Sequence, residues 1–231
     1  MNNKLKIAVL GLAMAFVTAV PSVEAASILI YDGVHAPIVV ADNDAFDTNA
    51  APGIVAISGG WADTFLFVAE VGITKPALGS AEAPAMFSNV SATSNTGDQM
   101  LQVLFSDTDF GPTNGMGTML GLVDTTPNGS ATYQVWQDAG NTLFNNGGVL
   151  GTGTVAGPGI DLPILDSFLV SGAFPYALTQ YFEIHHTGNL FVSTNIEASF
   201  QVPASVPDGG LTLSLLGLGL VGIERLRRRV K

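Results

Sequence analysis

The chain of 231 residues contains no cysteine. This absence excludes disulfide bonds, thiolate metal sites and cysteine nucleophiles. Basic residues are almost as scarce, because between residues 26 and 206 one lysine, Lys75, stands against sixteen acidic residues, a net charge of −15. A surface of this charge repels phosphate backbones and argues against a nucleic-acid-binding protein. Hydrophobic residues make up 47% and charged residues 12%, which argues against a disordered chain.

No apolar run reaches the ~20 residues of an ordinary membrane-spanning helix. One short run follows Lys4 and Lys6 and occupies residues 7–20, after which Pro21 interrupts it. The small residue Ala25 then offers a cleavage position. This order of basic, apolar and small residues predicts that residues 1–25 are a secretory signal peptide. The domain that follows, residues 26–204, is therefore predicted to be exported.

A second short apolar run lies near the C-terminus, within a three-part tail over residues 205–231. The tail begins with a turn-forming motif, Val206, Pro207, Asp208, Gly209 and Gly210. Residues 211–223 are apolar and predict a short transmembrane helix, which would hold the chain at the inner membrane either transiently or permanently. A basic stop follows, with Arg225, Arg227, Arg228 and Arg229. Basic residues at this position should keep that end in the cytoplasm.

The motif, the apolar segment and the terminal arginines together resemble the PEP-CTERM class of bacterial sorting tails. The motif is most similar to the VPDSG variant, with Gly209 where that pattern has serine. The resemblance implies recognition by an exosortase, a membrane-embedded enzyme related in mechanism to transpeptidases. It also implies a bacterium with an outer membrane and an extracellular-polysaccharide system, in which the protein reaches the cell surface or the biofilm matrix.

The middle of the chain alternates apolar and polar residues with a period of two, which predicts half-buried strands. The clearest case is Val192–Gln201, and His186 to Asn189 before it is interpreted as a hairpin loop. Residues 145–159 are interpreted as a long flexible loop. Nine or ten short strands separated by turn residues predict an all-β domain, an antiparallel β-sandwich for which a jelly-roll is one possible version. The further segments predicted as strands are 28–31, 38–41, 54–57, 64–71, 100–105, 118–123, 131–136 and 178–185.

Three interior segments carry a second resemblance. Residues 75–80, residues 105–110, and residues 174–179 with 186–188 are similar to segments of exported bacterial proteins that end in such sorting tails. This resemblance implies a shared β-rich fold and brings no activity with it.

Candidate chemistry in the domain is sparse. No H-E-x-x-H, G-x-S-x-G or phosphate-binding glycine loop is present, so no enzyme is predicted. His185 and His186 should point to opposite faces of a strand and cannot chelate one metal together. Asp42, Asp44 and Asp47 form a loop cluster of the oxygen ligands that Ca²⁺ prefers. Turn formation explains the same residues, because aspartate caps its own backbone.

These observations leave three hypotheses for the function of the exported domain. The first is a non-enzymatic structural or adhesive protein in contact with extracellular polysaccharide. The second is a Ca²⁺-dependent carbohydrate-binding module, with Trp61, Tyr133 and Trp136 as candidate sugar-stacking residues that core packing would equally explain. The third and least supported is a secreted hydrolase.

Overall fold

A computed structural model of the chain describes residues 26–95, 97–157, 159–172, 175–188 and 191–203. These residues form twelve strands, and the described part of the chain contains no helix. The strands are β1 (Ser27–Tyr31), β2 (Ile38–Ala41), β3 (Ile54–Gly60), β4 (Leu66–Ile73), β5 (Ala85–Ser94), β6 (Gln99–Phe110), β7 (Thr113–Thr125), β8 (Gly129–Asp138), β9 (Val149–Ala156), β10 (Gly159–Gly172), β11 (Tyr176–His186) and β12 (Val192–Gln201).

The strands form two six-stranded sheets in which every pair of neighbours is antiparallel. Sheet A has the order β2-β1-β6-β11-β8-β9, and sheet B has the order β10-β7-β12-β5-β4-β3. This arrangement confirms the predicted all-β, sandwich-like architecture. Within the residues described, no helix has the length and apolar character needed to cross a membrane.

The sheets enclose one hydrophobic core because their strands alternate inward apolar and outward polar side chains. In β12 the inward positions include Val192, Ile196 and Phe200, all buried. In sheet A, Tyr133 of β8 stacks on Phe182 of β11 with ring centroids 5.1 Å apart. Side chains of both sheets belong to the same buried cluster, so the predicted strand alternation is confirmed at the level of individual residues.

Two expectations about the connections were wrong, and two strands were missed. Residues 145–159 are not one flexible loop, because β9 (Val149–Ala156) pairs with β8 inside that segment. The hairpin predicted at His186 to Asn189 is wrong, since β11 belongs to sheet A and β12 to sheet B. The connection therefore carries the chain from one sheet to the other. Strands β5 and β10 were also not predicted.

Candidate functional site

The outward side chains of three neighbouring strands form a polar surface on sheet A. Gln102 of β6 lies opposite Glu183 of β11, and Glu183 lies opposite Thr132 of β8. All three side chains are partly exposed. Together with Gln134, Tyr181 and His185, they are called the sheet A patch below. The patch exists because antiparallel pairing brings outward positions of separate strands into register.

Glu183 is the centre of the hydrogen bonds in the sheet A patch. It accepts hydrogen bonds from the Tyr181 hydroxyl, from Gln102 Nε2 at 3.2 Å and from His185 Nε2 at 2.8 Å. The Tyr181 and His185 hydrogen bonds hold the pKa of the Glu183 carboxyl below its usual value. Glu183 is therefore ionised at neutral pH and acts as a hydrogen-bond acceptor rather than as a proton donor.

One side of the sheet A patch is covered by the connection between β8 and β9. Phe144 in this connection packs against Leu104, Trp136 and Tyr181, and its amide donates to Ser106 Oγ at 3.1 Å. Trp136 and Tyr181 stack on each other with ring centroids 4.7 Å apart, and each is only 9% exposed. Their ring faces are thus covered, and the patch offers amide, hydroxyl and carboxylate groups rather than an open aromatic platform.

The three aromatic residues considered for sugar stacking do not meet. Tyr133 is buried in the core, Trp136 is covered by Phe144 as described, and Trp61 stacks on His35 with ring centroids 5.3 Å apart. Hence no shared stacking platform is formed by Trp61, Tyr133 and Trp136.

A second polar site surrounds Asp32, which follows β1. Its buried carboxylate accepts hydrogen bonds from His35 Nδ1 at 2.7 Å and from Thr64 Oγ1 at 2.6 Å, and from the backbone amides of Val34 and His35. Burial disfavours the charged form of Asp32, but the hydrogen bonds from Thr64 and His35 outweigh burial and hold the pKa of the carboxyl well below its usual range. Asp32 thereby orients the His35 ring.

The outer nitrogen of His35 faces a second carboxylate rather than a nucleophile. His35 Nε2 lies 3.6 Å from Asp63 Oδ1. The hydrogen bond with Asp32 raises the pKa of His35, with a further contribution from the charge of Asp63. A histidine held between two carboxylates is favoured as the imidazolium, which is unsuited to act as a general base. The sequence analysis did not single out this site, although Asp32-Gly33 after a strand is a recognisable turn signal.

The predicted calcium ligands lie in the connection between β2 and β3. Asp42 Oδ2 accepts the Gly53 amide at 2.8 Å, and Asp44 Oδ1 accepts the Phe46 amide at 3.4 Å. Asp47 Oδ1 accepts the Ala56 amide at 2.9 Å. The carboxylates of Asp42 and Asp44 bond loop amides, and that of Asp47 bonds an amide of β3, a role that aspartate commonly has in turns. No group of three His, Asp or Glu in the described part of the chain is arranged to hold a metal ion, and calcium binding stays a prediction.

The two adjacent histidines of β11 lie on opposite faces of sheet A, as predicted. His185 is partly exposed and bonds Glu183. His186 is fully buried between the sheets, where its ring nitrogens bond Ser94 Oγ at 2.8 Å and Thr194 Oγ1 at 2.9 Å. Both nitrogens of His186 are therefore occupied by hydroxyl groups inside the core, and the pair cannot share a metal ion.

Residues from the interior segments 75–80, 105–110 and 174–179 meet around one buried ion pair. Lys75 Nζ lies 2.8 Å from Asp107 Oδ2, and it also donates to the carbonyl of Thr108. Lys75 Nζ lies 4.5 Å from the centroid of the Phe110 ring, and Phe110 packs against Tyr176 of β11. Lys75, Asp107, Phe110 and Tyr176 thus form one internal cluster, whereas His186 lies in a separate buried position beside Ser94 and Thr194.

The predicted signal peptide, the sorting motif Val206–Gly210, the apolar segment 211–223 and the arginines Arg225, Arg227, Arg228 and Arg229 all lie outside the described residues. No protein-family model matches the chain, and no curated protein matches it.

Proposed function

We propose that the protein is an exported, non-enzymatic domain of the cell surface or extracellular matrix, with a structural or adhesive role in contact with polysaccharide. The observation that carries the polysaccharide contact is the sheet A patch. Amide, hydroxyl and carboxylate groups in register on neighbouring strands are suited to hydrogen-bond the hydroxyl groups of a sugar chain.

The arrangement of acidic groups favours binding over hydrolysis. Hydrolysis of glycosides generally uses two carboxyl groups on either side of the scissile bond, one of them protonated. Among the six residues of the sheet A patch, Glu183 is the single carboxylate, and its hydrogen bonds favour the ionised form. The Asp32–His35 site likewise pairs its histidine with carboxylates rather than with a hydroxyl nucleophile.

The charge of the domain indicates which polysaccharides it would bind. A net charge of −15 between residues 26 and 206 disfavours polymers rich in uronic acids, because like charges repel across an interface. Neutral polysaccharides and polymers of amino sugars are the classes that this surface accommodates.

The sheet A patch can be tested with a pair of matched substitutions. Glu183→Gln should weaken binding to a neutral or amino-sugar polysaccharide by about tenfold to a hundredfold, because a hydrogen bond to a charged group contributes about 1.5–3 kcal/mol. Glu197→Gln removes the same charge from the outer face of sheet B, where Glu197 is exposed on β12, and should leave binding unchanged. A glycan array followed by calorimetry on both variants measures the difference, with folding checked by circular dichroism.

The same assay separates the carbohydrate hypotheses. Equal binding in Ca²⁺ and in chelator is the expected result, whereas binding lost in chelator would favour the Ca²⁺-dependent module. Equal affinities of the Glu183→Gln and Glu197→Gln variants would contradict the role of the patch. Release of reducing ends by the pure protein would instead favour the hydrolase.

Export and sorting are tested on the protein from its native host. We expect the mature chain to lack residues 1–25 and also the terminus Arg228–Lys231. The predicted reason is topological: the apolar segment 211–223 would stop in the inner membrane with its arginines inside, leaving the turn Pro207–Gly210 outside for an exosortase-like enzyme. Intact-mass spectrometry of the cell-surface fraction measures both ends.

A surface-fraction chain that still ends at Lys231 would contradict sorting and leave membrane anchoring. Deleting residues 206–231 provides the matched control, because the truncated chain should be secreted freely. A host without an exosortase should retain the uncleaved form at the inner membrane.

A further inference from the structure

The ion pair between Lys75 and Asp107 joins the two sheets inside the domain. Lys75 follows β4 of sheet B, and Asp107 belongs to β6 of sheet A. Their side chains are only 15% and 2% exposed. The one lysine of a domain with sixteen acidic residues thus places its charge in the interior rather than on the acidic surface.

A buried ion pair is a costly way to join two sheets. Removing both charges from water carries a desolvation penalty that their mutual attraction often fails to exceed. Burial raises the pKa of the Asp107 carboxyl, even though Lys75 opposes that shift. An uncharged pair, an amine beside a carboxylic acid, would avoid this penalty.

We propose that Lys75 and Asp107 form an intramolecular isopeptide bond. The neutral amine Nζ attacks Cγ of the protonated Asp107 side chain, and a new N–C bond gives a tetrahedral intermediate. The C–Oδ2 bond then breaks. Oδ2 leaves as water, carrying the acid proton and one proton from the nitrogen. An amine and a carboxylic acid thus become a secondary amide and one water molecule, without an oxidant, reductant or cofactor.

The neighbouring groups are placed to assist each step. The Thr108 amide donates to Asp107 Oδ1 at 2.8 Å, where negative charge develops in the intermediate. The Thr74 hydroxyl donates to Oδ2 at 3.0 Å, the oxygen that departs as water. The hydrogen bond from Nζ to the Thr108 carbonyl orients the amine beside the acid. These contacts hold the reacting groups together before reaction, which lowers the entropic barrier to their combination.

The surroundings also exclude solvent. Thr74, Thr108 and Phe110 are buried, and the Phe110 ring lies beside the amine. A dry site favours the neutral reactants over the separated ions. It also favours release of water from the intermediate.

The bond would be a covalent cross-link within a chain that cannot form a disulfide bond. The two residues are 32 positions apart in sequence, and the chain has no cysteine for a disulfide. A cross-link of this span restricts the unfolded chain and therefore stabilises the folded one. It would tie β6 of sheet A to the end of β4 in sheet B.

Intact-mass spectrometry of the full chain, made in any convenient host, tests the proposal. We expect a mass that is one water molecule lower than the mass calculated from the amino-acid sequence of the purified chain. Tandem spectra of a digest should show a branched peptide that joins Lys75 to Asp107. Lys75→Arg keeps the positive charge but presents a guanidinium that does not attack the acid, so this variant should have its full sequence mass. Asp107→Asn should form the same amide with loss of ammonia instead of water.

If the wild-type chain has the full mass calculated from its sequence, the proposal is overturned. Loss of water retained in the Lys75→Arg variant would also overturn it, because the Asp32-Gly33 sequence can lose water by forming a succinimide. Because the measurement requires neither polysaccharide nor an exosortase, its failure would leave the proposed export and binding roles unaffected.

Discussion

Replacing Ile196 by aspartate should unfold the domain. Ile196 is fully buried at the middle of β12, where it lies opposite Val90 of β5 and Val123 of β7, which are also buried. The substitution removes a core side chain and places a carboxylate among apolar groups. We expect a loss of about 4 kcal/mol or more. Since small domains have about 5–15 kcal/mol in total, most of the population should lose its fold.

The neighbouring position provides the control. Glu197 is exposed on the opposite face of the same strand, so Glu197→Lys should change the free energy of unfolding by no more than about 0.5 kcal/mol. Far-UV circular dichroism and urea unfolding measure both variants. An Ile196→Asp chain with the wild-type unfolding midpoint would contradict the described orientation of β12, and a helical spectrum for the parent protein would contradict the fold.

The fold was predictable where side-chain alternation is strong. β12 places Val192, Ile196 and Phe200 inward and polar residues outward, so its sequence alone indicates a strand with one buried face. β5 has the same burial alternation, but two of its inward positions are Ser88 and Ser94. Their hydroxyl groups bond Gln180 and His186 of the facing sheet. A pattern based on hydrophobicity misses such a strand because its inward polar groups find partners only in the folded state.

The assignment of strands to sheets was less predictable than the strands themselves. β11 and β12 are adjacent in sequence, with the turn residues Thr187 and Gly188 after β11, and this proximity favoured a hairpin. They nevertheless belong to different sheets. Local sequence specifies a chain reversal, whereas the choice between a neighbouring strand and the facing sheet depends on long-range packing.

The candidate sites show the same dependence on long-range contacts. Gln102 and Glu183 are 81 positions apart in sequence, and Lys75 and Asp107 are 32 positions apart. Only the pairing of distant strands brings either pair together. The aspartates Asp42, Asp44 and Asp47 are close in sequence and therefore suggested a metal site, yet their carboxylates bond backbone amides of the β2–β3 connection and of β3. Proximity in sequence therefore indicated a turn more reliably than a functional site.

His186 connects the two sheets through a chain of buried hydroxyl groups. Its ring bonds Ser94 and Thr194, and Thr194 Oγ1 lies 2.9 Å from Thr125 Oγ1. The Phe65 ring lies 5.0 Å from the imidazole, centroid to centroid. Burial, with a smaller contribution from the charge of His185, lowers the pKa of His186 to about 4 from an ordinary value of 6.5. The folded protein thus holds this histidine neutral.

Acid should therefore weaken the domain through His186. Between pH 6.5 and about 4 the unfolded chain binds a proton at this residue that the folded chain does not. The contribution of His186 to the free energy of unfolding is complete above pH 6.5. It decreases as the pH falls through this range, by about 3 kcal/mol in total. Urea unfolding of the wild type at a series of pH values across this range measures the decrease.

His186→Gln, which keeps polar groups without a titrating ring, should lose this part of the pH dependence. His35→Gln is the control of opposite sign, because the pKa of His35 is raised and its contribution is largest in acid. If His186→Gln retains the wild-type slope between pH 6.5 and 4, the acid sensitivity arises elsewhere in the domain.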